Sequence, residues 1–75
     1  MSEKNFRYMY FLVEKVLNDE SKRFEVIGKD GFKWGDSSSP KGALFDALAV
    51  GVNLKDIEIN MFVPDFGQVL ARANG

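Results

Sequence analysis

Hydrophobic and polar residues alternate in three stretches of the first half of the chain, as they do in β-strands. Residues 6–17 (FRYMYFLVEKVL) fit either period two or helical spacing, but their aromatic and β-branched side chains favour a strand. Residues 22–28 (KRFEVIG) and 32–35 (FKWG) alternate more clearly and flank a turn at Asp30 and Gly31, where glycine adopts left-handed geometry freely. The pattern therefore predicts three consecutive strands, of which the last two form a hairpin.

A helix is predicted from Pro40 to Val50. Ser39 is a candidate N-cap, and Pro40 takes the first helical position, where its missing N–H has no cost. Gly51 can adopt the left-handed conformation that ends many helices. Apolar residues recur at helical spacing and are expected to face the sheet: Ala43, Leu44, Ala47 and Leu48.

The last third of the chain predicts one more strand. In residues 55–63 (KDIEINMFV) apolar residues alternate with Glu58 and Asn60, and Pro64 ends the pattern. Residues 67–73 (GQVLARA) fit either a final short strand or a helical tail. The order β-β-β-α-β predicts a single α+β domain over residues 1–75, with a mixed sheet of four to five strands and one helix on one face.

The composition argues against enzymatic chemistry. The chain has no His and no Cys, so it lacks the commonest general base, the commonest metal ligand and any disulfide or thiolate site. The serines of residues 36–39 (DSSS) have no adjacent base and are better explained as a loop and a helix cap. The carboxylates are scattered singly. We therefore expect a non-enzymatic protein with no cofactor and no metal.

The charges predict neither a membrane protein nor a strongly nucleic-acid-binding one. Ten basic and eleven acidic residues give a net charge of −1, so no global field attracts nucleic acid. The apolar run at residues 8–13 is too short to span a bilayer, and Glu3, Lys4 and Arg7 are unlike a signal peptide. We expect a cytoplasmic protein with no membrane contact. Basic residues exceed acidic ones between Lys22 and Lys41, which indicates either a weak basic patch or an ordinary solvated surface.

The run NDESKRFEVIGKDGFKWG…ALFDALAVGVNLKDIEIN…VP resembles the N-terminal domain of bacterial translation initiation factor 3 over residues 18–64. That family has an Asn before a Val-x-x-Ile-Gly-x-x-Gly strand and turn, a second Gly, an Ala-Leu helix, a Gly-Val/Leu-Asp-Leu turn and an acidic strand that enters a proline. Asn53 stands where the family usually has Asp, and its double proline is here the single Pro64. The matching positions are Asn18, Val26, Ile27, Gly28, Asp30, Gly31, Gly35, Ala43, Leu44, Gly51, Val52, Leu54, Ile57 and Pro64.

The resemblance implies a β-grasp-like sheet with one helix and a role at the small ribosomal subunit. The implied function is that of a non-enzymatic, ribosome-associated module that uses the hairpin as its contact surface. Arg23, Lys29 and Lys33 would then meet RNA phosphates, and Trp34 would add stacking or protein contact.

An alternative function is that of a small adaptor or inhibitor, of the kind that compact virus-encoded proteins provide, which occludes the surface of a partner protein. Aromatic anchors dominate such contacts, although in a small domain the same residues also fill the core. A homodimer joined through the edge of the N-terminal strand is compatible with either function. The candidate protein-contact residues are Phe45, Asp46, Asp56, Glu58, Phe62 and Phe66.

Overall fold

A four-stranded sheet and two helices make up the fold. The computed structural model describes residues 8–75. In chain order the elements are β1 (Tyr10–Val16), β2 (Lys22–Gly28), β3 (Lys33–Ser37), α1 (Pro40–Ala49), a 3₁₀ turn (Leu54–Asp56), β4 (Ile57–Glu58) and α2 (Phe66–Asn74). The predicted α+β class is confirmed.

The sheet is mixed and has the order β3-β2-β1-β4. β1 pairs antiparallel with β2 along its whole length, and β2 pairs antiparallel with β3. β4 pairs parallel to β1, but only through Ile57 with Tyr10 and Glu58 with Phe11. Most of β1 therefore has a neighbour on one side only among residues 8–75.

The strand interpretation of the N-terminal segment is confirmed for residues 10–16, while residues 6 and 7 lie outside the described part of the chain. β1 and β2 are joined by a tight loop in which Leu17 N–H donates to the Ser21 carbonyl at 2.8 Å. Glu20 takes a left-handed conformation there, with φ 71°. This geometry is typical of a three-residue hairpin loop, whose last residue is left-handed.

The cap residues of α1 act as the sequence predicts. The Ser39 hydroxyl accepts a hydrogen bond from Gly42 N–H at 3.1 Å, and Pro40 opens the helix. Gly51, with φ 98°, follows the C-terminus. Of the four residues predicted to face the sheet, Ala43, Leu44 and Ala47 are buried and Leu48 is partly buried. The buried core consists of Leu12, Val26, Ala43, Leu44, Ala47, Val52, Ile57, Val63 and Val69.

α1 lies unusually close to β3 because β3 carries Gly35 at the crossing point. A Cβ atom on Gly35 would overlap the carbonyl oxygen of Ala43 and lie 3.2 Å from the backbone nitrogen of Ala47. Both neighbours are helix backbone and cannot move aside as a flexible side chain would. The small residues of β3 and α1 thus let the two backbones touch.

The structure corrects two details of the predicted C-terminal third. The strand predicted over residues 55–63 is limited to Ile57–Glu58, because the chain must turn after Glu58 to bury Val63 in the core. The undecided C-terminal segment is a second helix, α2, so the domain has two helices rather than one. Phe66, Val69, Leu70 and Ala73 have the spacing of one helix face, and Val69 is fully buried.

We expect Gly35→Ala to destabilise the domain by about 1–3 kcal/mol, because the added methyl group overlaps backbone atoms that are held in a helix. Gly67→Ala is the matched control, since a Cβ at Gly67 meets nothing within 4 Å and alanine suits a helix better than glycine. Denaturant unfolding should show opposite signs for the two variants. An unchanged stability for Gly35→Ala would contradict the close approach.

Candidate functional site

Four charged residues form a network on the sheet face that α1 does not cover. Side chains alternate along strands, so the residues next to buried Val26 point to the opposite face. Arg23 contacts Asp36 at 3.0 Å, and Lys33 contacts Glu25 at 3.4 Å and Asp36 at 3.6 Å. Glu25 and Asp36 are directly opposite in register, so the two cations lie between carboxylates that would otherwise repel each other.

This pairing changes the meaning of two predicted RNA contacts. Arg23 and Lys33 belong to a group with two positive and two negative charges, which is locally neutral. A phosphate approaching either cation would compete with a carboxylate already in contact with it. The network is therefore better suited to holding β2 and β3 together than to binding a polyanion.

Trp34 lies on the other face of the sheet, away from Arg23 and Lys33. The register between β2 and β3 shifts after Val26, and this irregularity turns the indole over Gly28. There Trp34 packs edge-to-face on Tyr10, at 5.8 Å between ring centroids, and on Phe32, at 4.9 Å. Trp34 shares a shallow cleft of about 330 Å³ with Lys29, so the predicted RNA-contact set is divided between two faces.

Two of the predicted protein-contact residues serve the packing of α1. Phe45 is half-buried, with the guanidinium carbon of Arg72 4.9 Å and the Lys41 ammonium 6.0 Å from its ring centroid. Both contacts have the geometry of cation–π interactions, and the one with Arg72 links α1 to α2. Asp46 is exposed and accepts a long hydrogen bond of 3.4 Å from the Asp36 backbone N–H.

Asp56 and Glu58 lie beside each other at the β4 edge of the sheet. The Asp56 carbonyl accepts a hydrogen bond from Met9 N–H at 3.0 Å, which extends the contact between β4 and the start of β1. The Glu58 carboxylate accepts one from the Asn60 side chain at 2.8 Å. Neither residue lies in the apolar cleft that Phe62 and Phe66 line.

Phe62 and Phe66 lie together at an apolar cleft of about 370 Å³. Phe62 is 84% exposed, more than any other large hydrophobic residue described. Phe66 is half-buried and forms the opposite wall. Every residue that lines this cleft is apolar: Ile59, Met61, Phe62, Val63 and Phe66.

A second cleft of about 470 Å³ adjoins the first, since Ile59 and Phe66 line both. Leu70, which is 43% exposed, lies in the wall of this second cleft. We name the continuous surface of Ile59, Met61, Phe62, Phe66 and Leu70 the Phe62 surface. The sequence prediction found Phe62 and Phe66 but missed Ile59, Met61 and Leu70. The helical spacing of Phe66 and Leu70 is the signal that could have found the last of these.

Lys41 of α1 holds the Phe62 surface in place. Its ammonium group donates to the Gln68 side-chain oxygen at 3.0 Å and contacts the Asp65 carboxylate at 3.6 Å. Asp65 precedes α2 in a left-handed conformation, with φ 61°, that non-glycine residues rarely adopt. The start of α2, and with it the loop that carries Phe62, is therefore tied to the end of α1 that follows the Ser39 cap.

Residues 8–75 contain no group of three or more His, Cys, Asp or Glu side chains that could hold a metal ion. Within the same residues no buried side-chain polar atom lacks a hydrogen-bond partner. Neither of the two described helices is long and apolar enough to cross a membrane.

The pKa of the Asp36 carboxyl is lowered by the charged residues around it. Partial burial opposes its ionisation, but the hydrogen bond and charge of Arg23, with a smaller contribution from Lys33, outweigh that effect and hold its pKa below the ordinary 3.8. Because the pKa is lower in the folded state, ionised Asp36 stabilises the fold above the unfolded-state pKa. This contribution is lost as the pH falls through the folded-state pKa.

We expect Arg23→Gln to raise the pKa of Asp36 toward 3.8, since the variant removes the main stabilising partner of the ionised form. Carboxyl ¹³C chemical shifts followed against pH measure this directly. Lys41→Gln removes a cation that contacts Asp65 instead, and should leave the Asp36 titration unchanged. A midpoint that does not move in Arg23→Gln would show that the ion pair is absent in solution.

No protein-family model, no curated protein and no solved structure matches the chain. The resemblance to the initiation-factor domain stays a prediction that rests on the motif residues.

Proposed function

We propose that the chain is a non-enzymatic protein-binding module that uses the Phe62 surface to occlude an apolar site on a partner protein. The observation that carries this proposal is the exposure of Phe62, at 84%, beside a cleft lined only by apolar residues. In the free protein, the Phe62 ring exposes a large apolar area to water, which is unfavourable. Inserted into a partner's pocket, it would bury most of its ring, as the aromatic anchors of protein interfaces do.

The contacts that hold the Phe62 surface in a fixed conformation favour the same function. Phe66 belongs to α2, which is anchored by fully buried Val69, and Lys41 ties the start of α2 to α1. A preorganised anchor loses little conformational entropy when it binds, which raises affinity. The neutral charge network on the sheet and the net charge of −1 are also better suited to a protein than to a polyanion.

Affinity purification from a lysate of the source cells tests the proposal. The bait is compared with Phe62→Ser and with the matched control Val50→Ser, which changes another exposed apolar residue, 60% accessible, at the end of α1. We expect a protein that the unmodified bait and Val50→Ser retain at moderate salt and that Phe62→Ser loses by about tenfold or more, the usual effect of removing an interface anchor. Identical partners for all three baits would overturn the Phe62 surface as the contact site.

The initiation-factor resemblance supports a second proposal, association with the small ribosomal subunit through the β2–β3 turn. The observation that favours it is the aromatic pair of Phe32, which is 57% exposed, and Trp34 beside the cleft that Lys29 lines. Of the two rings, Phe32 is the exposed one and Trp34 is half-buried beneath it. An exposed aromatic ring next to a basic side chain can stack on an unpaired RNA base. Arg23 and Lys33 contribute less in this proposal because carboxylates already pair with them.

We expect Phe32→Ala and Lys29→Ala each to reduce cosedimentation with small ribosomal subunits, and binding to weaken as salt rises. Lys55→Ala is the matched control, because Lys55 is an exposed lysine outside the β2–β3 turn. Saturable, salt-sensitive binding that only the turn variants lose would favour this second proposal over the first. No cosedimentation at low salt would remove it.

A further inference from the structure

Within residues 8–75, the edge of β1 that faces away from β2 has no strand partner from Leu12 to Val16. β4 covers this edge only at Tyr10 and Phe11, and within residues 8–75 no other strand pairs there. β1 is regular and contains neither proline nor a bulge, two devices that usually protect an exposed edge. As far as residues 8–75 are concerned, another extended chain could therefore pair with this edge.

The hydrogen-bond pattern shows which groups the open edge presents. Leu17 N–H donates to the Ser21 carbonyl, and the β1–β2 register is regular from Tyr10 to Val16. The odd-numbered residues of β1 are therefore the ones that exchange hydrogen bonds with β2. In an antiparallel ladder, alternate residues direct their N–H and C=O groups to opposite sides. Glu14 and Val16 therefore direct theirs toward the open edge, where both residues are exposed.

The charge beside this edge is positive on one face of the sheet. Lys15 lies directly opposite Arg23 in the β1–β2 register, and like charges in that arrangement repel. Arg23 is paired with Asp36 on its far side, whereas no carboxylate among the described residues forms an ion pair with Lys15. A carboxylate on an incoming strand, placed opposite Lys15, would relieve the repulsion.

The two residues of β4 that pair with this edge are one apolar and one acidic residue. Ile57 is buried in the core beside Tyr10, while Glu58 pairs with Phe11 on the face that carries Lys15. A strand that continued this row would place apolar side chains on the core face and acidic side chains on the Lys15 face.

We propose that the open edge of β1 binds an extended, acidic segment of a partner protein by strand addition. Main-chain hydrogen bonds to Glu14 and Val16 supply the affinity, and a carboxylate opposite Lys15 supplies the selectivity. The residues involved are not part of the Phe62 surface. The inference therefore does not depend on the function proposed above.

A second copy of the chain is a poorer occupant. In the antiparallel register that pairs Glu14 of each copy with Val16 of the other, the two copies of Lys15 meet on the symmetry axis. Each is already opposite an Arg23, so four basic side chains would form one row. Lys15 thus acts against self-association, as lysines on edge strands commonly do.

The test uses two capped nine-residue peptides with isoleucine at one set of alternate positions and either glutamate or lysine at the other. Titration into ¹⁵N-labelled protein should give at least about fivefold tighter binding of the glutamate peptide at low salt, and this preference should shrink as salt rises. The largest amide shifts should fall at Glu14 and Val16. Equal affinities, no binding of the glutamate peptide, or shifts confined to the Phe62 surface would overturn the proposal.

Two variants sharpen the test. Lys15→Glu should reverse the peptide preference, while the control Lys55→Glu makes the same charge change at an exposed lysine away from the edge and should preserve it. In sedimentation analysis Lys15→Val should self-associate at concentrations where the unmodified chain is a monomer. A stable dimer of the unmodified chain that Lys15→Val leaves unchanged would show that Lys15 does not guard the edge.

Discussion

The close approach of α1 to β3 is the constraint on which the rest of the structure depends. It exists because Gly35 has no side chain and because α1 presents Ala43 and Ala47 at the crossing point. Once α1 is seated, Lys41 and Phe45 are placed to receive α2 through Asp65, Gln68 and Arg72. The contacts between α1 and α2 therefore build on the seating of α1 that Gly35 allows.

The charged network and the apolar core lie on opposite faces of the sheet, a separation that the sequence does not show. Charges that look like a basic patch are paired across β2 and β3 and contribute to strand cohesion. The Phe62 surface and the open edge of β1 lie outside this network. Among the basic residues of the four strands, Lys15 forms no ion pair with a described carboxylate.

Local sequence patterns predicted the elements that depend on local interactions. The β2–β3 hairpin and α1, with its Ser39 cap, follow from turn chemistry and helical spacing within a few residues. The length of β4 could not be predicted from local pattern. The chain leaves the strand after Glu58 and Val63 is buried in a core that distant residues build. Trp34 and Lys33 lie on opposite faces of the sheet because of a register shift between β2 and β3, which the alternation of residues alone does not reveal.

The brevity of β4 also bears on how the domain opens. Three sequential strands and α1 are joined by short connections, whereas the C-terminal region from Ile57 onward joins the sheet through a two-residue ladder only. Side chains hold the rest of this region: buried Ile57, Val63 and Val69, and the contacts of α2 with Lys41 and Phe45. Regions with few backbone hydrogen bonds to the rest of a domain commonly exchange their amide hydrogens through subglobal opening, at a lower free energy than complete unfolding. In that open state the whole length of β1 would lie at the edge of a three-stranded sheet, and the molecule would be most prone to aggregate before it had unfolded.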